Sequence, residues 1–179
     1  SADAHYLRGS RPAAQLEYLV ELSGRLIDVD GQVDLYEYCF YRVLRISLGQ
    51  AVNPARYPGP RHKARRELRR AAIDLLTVVA DYGHRDAASA AQAFEAGKAY
   101  FGKWASEHAY ASKERYTLRA LERSLDLLTA LNGKGRRLVV KAVTAVAVHD
   151  NRVTSAETGL IRTVCASLDV PLPPLAVVS

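Results

Sequence analysis

The stretch VDGQVDLYEYCFYR at 29–42 returns 120 residues later as HDNRVTSAETGLIR at 149–162, and both read D-[GN]-x-V-x-x-x-E-x-x-x-x-R. The repeated unit is a loop that turns into a helix. Gly31 and Asn151 follow an Asp and tolerate positive φ, Val33 and Val153 can anchor the turn, and Asp34 or Thr154 stands where a helix takes its N-cap. Glu37 and Glu157 then fall at the third helical position, from which a carboxylate reaches back to the cap in a capping box. Arg42 and Arg162 are placed to reach back to an acidic group. A helix-loop-helix unit that occurs twice predicts an all-α, pseudo-symmetric fold with one acidic loop in each half.

Outward from the repeat, the chain reads as about seven helices. Ser10-Arg11-Pro12 opens the first, with Leu16, Leu19, Val20, Ser23, Leu26 and Ile27 on one face and an end near Asp28. The segment 35–48 is apolar almost all round, which predicts a largely buried central helix. Pro54, Pro58, Gly59 and Pro60 then break the chain. A basic amphipathic helix over 61–81 is expected to bury Ala64, Leu68, Ala71, Ala72, Leu75, Leu76 and Val79. Asp86 caps a fourth helix with a mostly small inner face (Ala87, Ala90, Ala91, Phe94, Gly97), which suits close packing and is expected to continue to Phe101 and Trp104. Leu118, Leu121, Leu125 and Leu128 mark a fifth, ending at the Asn132-Gly133 pair; 136–148 and 155–168 supply the last two before Pro171, Pro173 and Pro174.

Composition narrows the class further. The chain has 179 residues, 49% of them hydrophobic and 25% charged, with 25 Lys+Arg against 19 Asp+Glu for a net charge of +6. That balance belongs to a folded domain and excludes full disorder. One helical domain is expected over 12–175, with 1–11 an extension and 176–179 a tail. Cys39 and Cys165 both lie in apolar runs and read as reduced core thiols, not as a disulfide framework. The longest apolar run, 138–148, has 11 residues with Lys141 inside it, against the ~20 that a spanning helix needs. The chain begins at Ser1 and has no Met, so it is expected to be a processed product or an excised piece.

The acidic loops admit a second chemistry. An EF-hand loop takes oxygen ligands at alternate positions, Gly at six and Glu at twelve. With Gly31 at six, Asp28, Asp30, Asp34 and Glu37 fall on ligand positions, but position one is Leu26. The second loop keeps only Asp150 and Glu157, with Val146 and Val148 where oxygens belong. Capping is therefore the leading reading of both loops, and calcium or magnesium the rival.

The pair VDGQVDLYEYCFYRVLR and AVAVHDNRVTSAETGLIRTVCASLDVPLPPL, with AAIDLLTVVADYGHRDAASAAQAFEAG between them, resembles the TerB-like helical region at the C-terminus of bacterial membrane-bound zinc metallopeptidases related to HtpX. The likeness runs from about Leu19 to Leu175, and the tail SLDVPLPPL is its most distinctive part. It implies a non-catalytic accessory domain on the cytosolic face of the inner membrane, with the peptidase domain or a substrate protein as its partner. Zinc is then expected only in that missing domain. Such peptidases hold zinc with an H-E-x-x-H helix, whereas His5, His62, His84, His108 and His149 include no i, i+4 pair. The alternative implied by the same resemblance is a stand-alone TerB-like module that binds a divalent cation in stress or tellurite resistance.

Other catalytic signatures are missing: no G-x-S-x-G elbow, phosphate loop or dinucleotide fingerprint occurs. The surface chemistry instead concentrates between 56 and 70, where seven Lys/Arg face one Glu. Arg61, Arg65, Arg66, Arg69 and Arg70 are the candidate binding surface, for a solvated face or an anionic membrane before nucleic acid, since Tyr57 is the one aromatic there. Tyr110 and Tyr116 are candidate contacts for a partner chain.

Overall fold

The computed structural model describes residues 11–28, 35–53, 63–111 and 118–175. Among them it has seven α-helices and no strand: α1 Pro12–Asp28, α2 Leu35–Val52, α3 Arg65–Gly83, α4 Ala87–Lys98, α5 Leu118–Leu128, α6 Gly133–Ala147 and α7 Ser155–Leu168, with two 3-10 turns, Ala99–Phe101 and Lys103–Ala105. The all-α architecture is as the periodicity predicts. Among the described residues no helix is long and apolar enough to cross a membrane.

The chain divides into two compact units, Ser1–Pro58 and Gly59–Ser179. The first helix-loop-helix falls in the first unit and the second in the other. In the first unit α1 packs along α2. Leu19 and Ser23 are buried as the α1 stripe requires, but Val20 is exposed. The expectation of a largely buried α2 is corrected: only Tyr38, Cys39 and Arg42 are buried, while Tyr36 and Phe40 are 53% and 63% exposed. Apolar residues all round a helix state what it can bury, not how many neighbours it has.

The second unit is organised around α3, which touches α4, α5, α6 and α7. Every residue from Ala71 to Asp81 except Asp74 is buried in it. The one-sided stripe accounts for Ala71, Ala72, Leu75, Leu76 and Val79, but Ile73, Thr77, Val78, Ala80 and Asp81 are buried as well, so this part of α3 is enclosed all round, whereas Leu68 is half-buried and Ala64 exposed. Leu118, Leu121, Leu125 and Leu128 of α5 and Leu160, Ile161, Val164, Cys165 and Leu168 of α7 complete the core. Where α4 meets α6, Gly97 faces Ala142 and Val146 with no space for a Cβ.

Helix ends follow local chemistry. Asp86 caps α4, accepting from the Ser89 backbone N–H at 2.8 Å, and that bond and one from the Ser89 hydroxyl hold its carboxyl below the ordinary carboxylate pKa. Asn132 does not end α5, as the Asn-Gly pair suggests. It caps α6 with φ −69° and ψ 171°, accepting from Gly135 N at 2.8 Å, so α6 starts three residues early. α4 likewise stops at Lys98, where Gly102 at φ 82° turns the chain out of helix. Asp169, at φ 53°, ends α7 in the left-handed conformation while Val170 N–H bonds the Cys165 carbonyl.

Candidate functional site

The loop between α6 and α7 closes on itself. Asp150 Oδ1 accepts from Arg152 N at 3.1 Å, Asn151 takes φ 59°, and Val153 is buried. Thr154 caps α7: its Oγ1 accepts from Glu157 N at 3.2 Å while Glu157 Oε1 accepts from Thr154 N at 3.3 Å, the reciprocal pair of a capping box. Glu157 is only 2% exposed, and its other oxygen, Oε2, has no hydrogen-bond partner among the described residues. Burial pushes its carboxyl above the ordinary pKa, opposed by the Thr154 bonds; Asp150 pushes it further up and His84 down. His84, at the end of α3, donates from Nε2 to the Val146 carbonyl oxygen at 3.1 Å, since that oxygen can only accept.

These contacts place the candidate ligands in separate roles. Asp150 serves its own turn and Glu157 points into the core. Asp30 and Asp34 lie outside the described residues, Asp28 ends α1, and Glu37 is exposed in the first turn of α2. Among the described residues no three of His, Cys, Asp or Glu come together as a group able to hold a metal. The two halves of the repeat also differ at their arginines: Arg42 is 3% exposed, whereas Arg162 stands in solvent with no acidic partner among the described residues. Both cysteines are buried, and burial pushes the Cys165 thiol up to about 11, away from thiolate reactivity.

The arginine stretch behaves differently from one continuous patch. Arg61 lies outside the described residues. The other four alternate between two flanks of α3, because residues four apart share a face. Arg66 and Arg70 line a groove of about 840 Å³ whose far wall is α5 with Arg119 and Arg123. Glu67 and Asp74 share that groove, and Arg70 Nε pairs with Asp74 at 3.2 Å.

Arg65 and Arg69 belong to a second groove, of about 550 Å³, between α3, the 3-10 turns and the start of α6. Its deepest residues, Ala72, Phe101 and Val139, are buried; Leu68, Leu131 and Trp104 are half-buried; Leu138 is 37% exposed at the edge. Trp104 stacks on Phe101 with centroids 5.3 Å apart, and the Arg69 guanidinium lies 5.0 Å from the Trp104 centroid. Trp104 is thus a groove wall and not the continuation of the α4 stripe. Tyr110, a candidate partner contact, instead donates to the buried Asp81; desolvation and this acceptor raise its phenol above the ordinary pKa. Tyr116 lies outside the described residues. The i, i+4 pair Arg119 and Arg123, beside the leucine stripe of α5, is the signal in the sequence that marks the second wall of the basic groove.

No family, curated protein or solved structure matches this chain.

Proposed function

We propose that this chain is a non-catalytic interaction domain, and that it serves as the accessory C-terminal region of a membrane-bound zinc metallopeptidase of the HtpX-like kind. One observation carries the interaction reading: the N-terminal half of α3 holds its arginines over two open grooves, while the acidic 149–157 loop spends its polar groups on capping. Convergent cations beside concave apolar surface suit recognition of another molecule. The parentage rests on the TerB-like resemblance of the two loop motifs and the SLDVPLPPL tail. In this role the domain binds the peptidase domain or its membrane-protein substrate at the cytosolic face, and the zinc chemistry belongs to the peptidase domain.

The test is the complete reading frame. An H-E-x-x-H helix and hydrophobic spans encoded upstream of Ser1 support the parentage, and a frame without them overturns it. With the longer polypeptide in hand, deletion of residues 59–179 is expected to slow cleavage of a membrane-protein substrate while leaving zinc content unchanged. Unchanged cleavage would sink the accessory role.

A further inference from the structure

The groove walled by Trp104 is apolar below and cationic above. Lys63 and Arg65 are exposed at its rim, Arg69 covers the Trp104 ring, and its lining includes no carboxylate. Among the described residues none of these three cations forms a salt bridge, in contrast to Arg70 on the other flank. Their charge is therefore left for a ligand.

We propose that this groove docks an acidic amphipathic segment of a partner protein. A large apolar side chain of the segment lies against Leu68, Leu138 and the open edge of Trp104, and its flanking carboxylates meet Arg65, Arg69 and Lys63. The inference rests on the interaction-domain reading and not on the peptidase parentage.

The build of the groove favours a peptide over other anions. The apolar lining lies beneath the cations, so a flat lipid surface meets the rim and leaves Leu68, Leu131 and Leu138 uncovered. A small anion such as phosphate satisfies the arginines and leaves the same floor empty. A helical segment has the right periodicity: apolar anchors at i, i+3 and i+4 enter a groove while acidic residues between them stay at its edge. Arginine and tryptophan are the residues that most often carry binding energy at such centres.

Trp104 is the one tryptophan of the chain, so its emission reports on the groove. The experiment pans a random dodecapeptide library on the full chain, then titrates the enriched peptides by Trp104 fluorescence. Peptides with a large apolar residue flanked by Asp or Glu are expected, and their binding should shift the emission. Arg65→Glu with Arg69→Glu should weaken them roughly tenfold or more, since like charges then face each other. Arg162→Glu, on an exposed face of α7, should leave binding unchanged. Circular dichroism checks each variant, and Arg65→Gln with Arg69→Gln, expected to weaken binding less, replaces the reversal if that one fails to fold. Enrichment of peptides without acidic flanks, or binding indifferent to both double variants, overturns the groove while the interaction reading stands. A library that yields no binder, with emission shifted only by phosphatidylglycerol vesicles, overturns the peptide in favour of a membrane surface.

Discussion

Gly97 of α4 rests against Ala142 of α6 so closely that a Cβ at residue 97 would stand 2.7 Å from the Ala142 carbonyl oxygen. A backbone oxygen cannot rotate away, and Val146 closes the other side. Gly97→Ala gains about 1 kcal/mol of helix propensity but forces the two helices apart, at about 1–3 kcal/mol for overpacking. A net loss of stability is expected by urea denaturation. Gly159, in α7 with nothing within 4 Å of its Cβ position, is the opposite case. Gly159→Ala is expected to stabilise by about 0.5–1 kcal/mol, and equal effects at the two sites would refute the packing account.

That contact was legible because a run of small residues on one helical face means close approach, whatever the neighbour is. The capping box of Thr154 and Glu157 was legible for the same kind of reason: its four bonded groups lie within four residues. What the sequence does not carry is who sits opposite. Arg42 and Arg162 occupy one motif position, yet one is buried and the other stands in solvent. The arginines of 65–70 read as one patch until α5 and α6 divide them between two grooves. Trp104 reads as core when helical spacing is continued past Lys98, but after the 3-10 turn Ala99–Phe101 the chain bends away at Gly102, φ 82°. Local chemistry fixes caps and turns, whereas a groove needs two elements distant in the chain.

Glu157 makes stability depend on pH. Burial raises its pKa, with Asp150 adding and the Thr154 bonds and His84 opposing. A carboxyl with a higher pKa in the fold than in the unfolded chain holds its proton more tightly when folded. Its contribution is therefore full below the ordinary value of 4.5 and is lost as pH rises through the raised one. Glu157→Gln keeps an oxygen for the Thr154 N–H but cannot ionise. From about pH 4 to about pH 8 the parent should lose stability relative to this variant. A difference that grows in the parent's favour would show that Glu157 works as an anion. Glu157→Ala, which removes the box, should cost about 1 kcal/mol near pH 4 and less as pH rises, because the parent then loses what its raised pKa contributes.

Arg136 ties three chain ends together. Its Nε donates to the Leu131 carbonyl at 2.8 Å, Nη1 to the Leu168 carbonyl at 3.0 Å, and Nη2 to the Thr129 carbonyl. These acceptors close α7 and the turn after α5, and the guanidinium itself is buried. Bonds from a charged donor contribute about 1.5–3 kcal/mol each and are not additive. Arg136→Met is expected to cost about 3 kcal/mol by denaturant titration. Arg136→Lys should recover little of it, because an ammonium cannot present the planar fork that three carbonyls require. Full rescue by lysine would mean that charge alone matters.

The second loop offers a direct contest between capping and cation binding. Asp150 is engaged by Arg152 N and Glu157 by Thr154, and Glu157 Oε2 lies against Gly83. A cation there would have to break both turns. The melting temperature of the chain in EDTA, and then in millimolar calcium, magnesium and zinc, should change by the same amount in the parent and in Asp150→Asn. Ligand binding to the folded state raises the melting temperature by mass action, so any site that uses Asp150 must lose its rise in this variant. A rise present in the parent and absent in Asp150→Asn would overturn the capping account of this loop. A rise shared by both but abolished in Glu37→Ala would assign the cation to the first loop and favour the TerB-like sensor reading over the peptidase accessory domain.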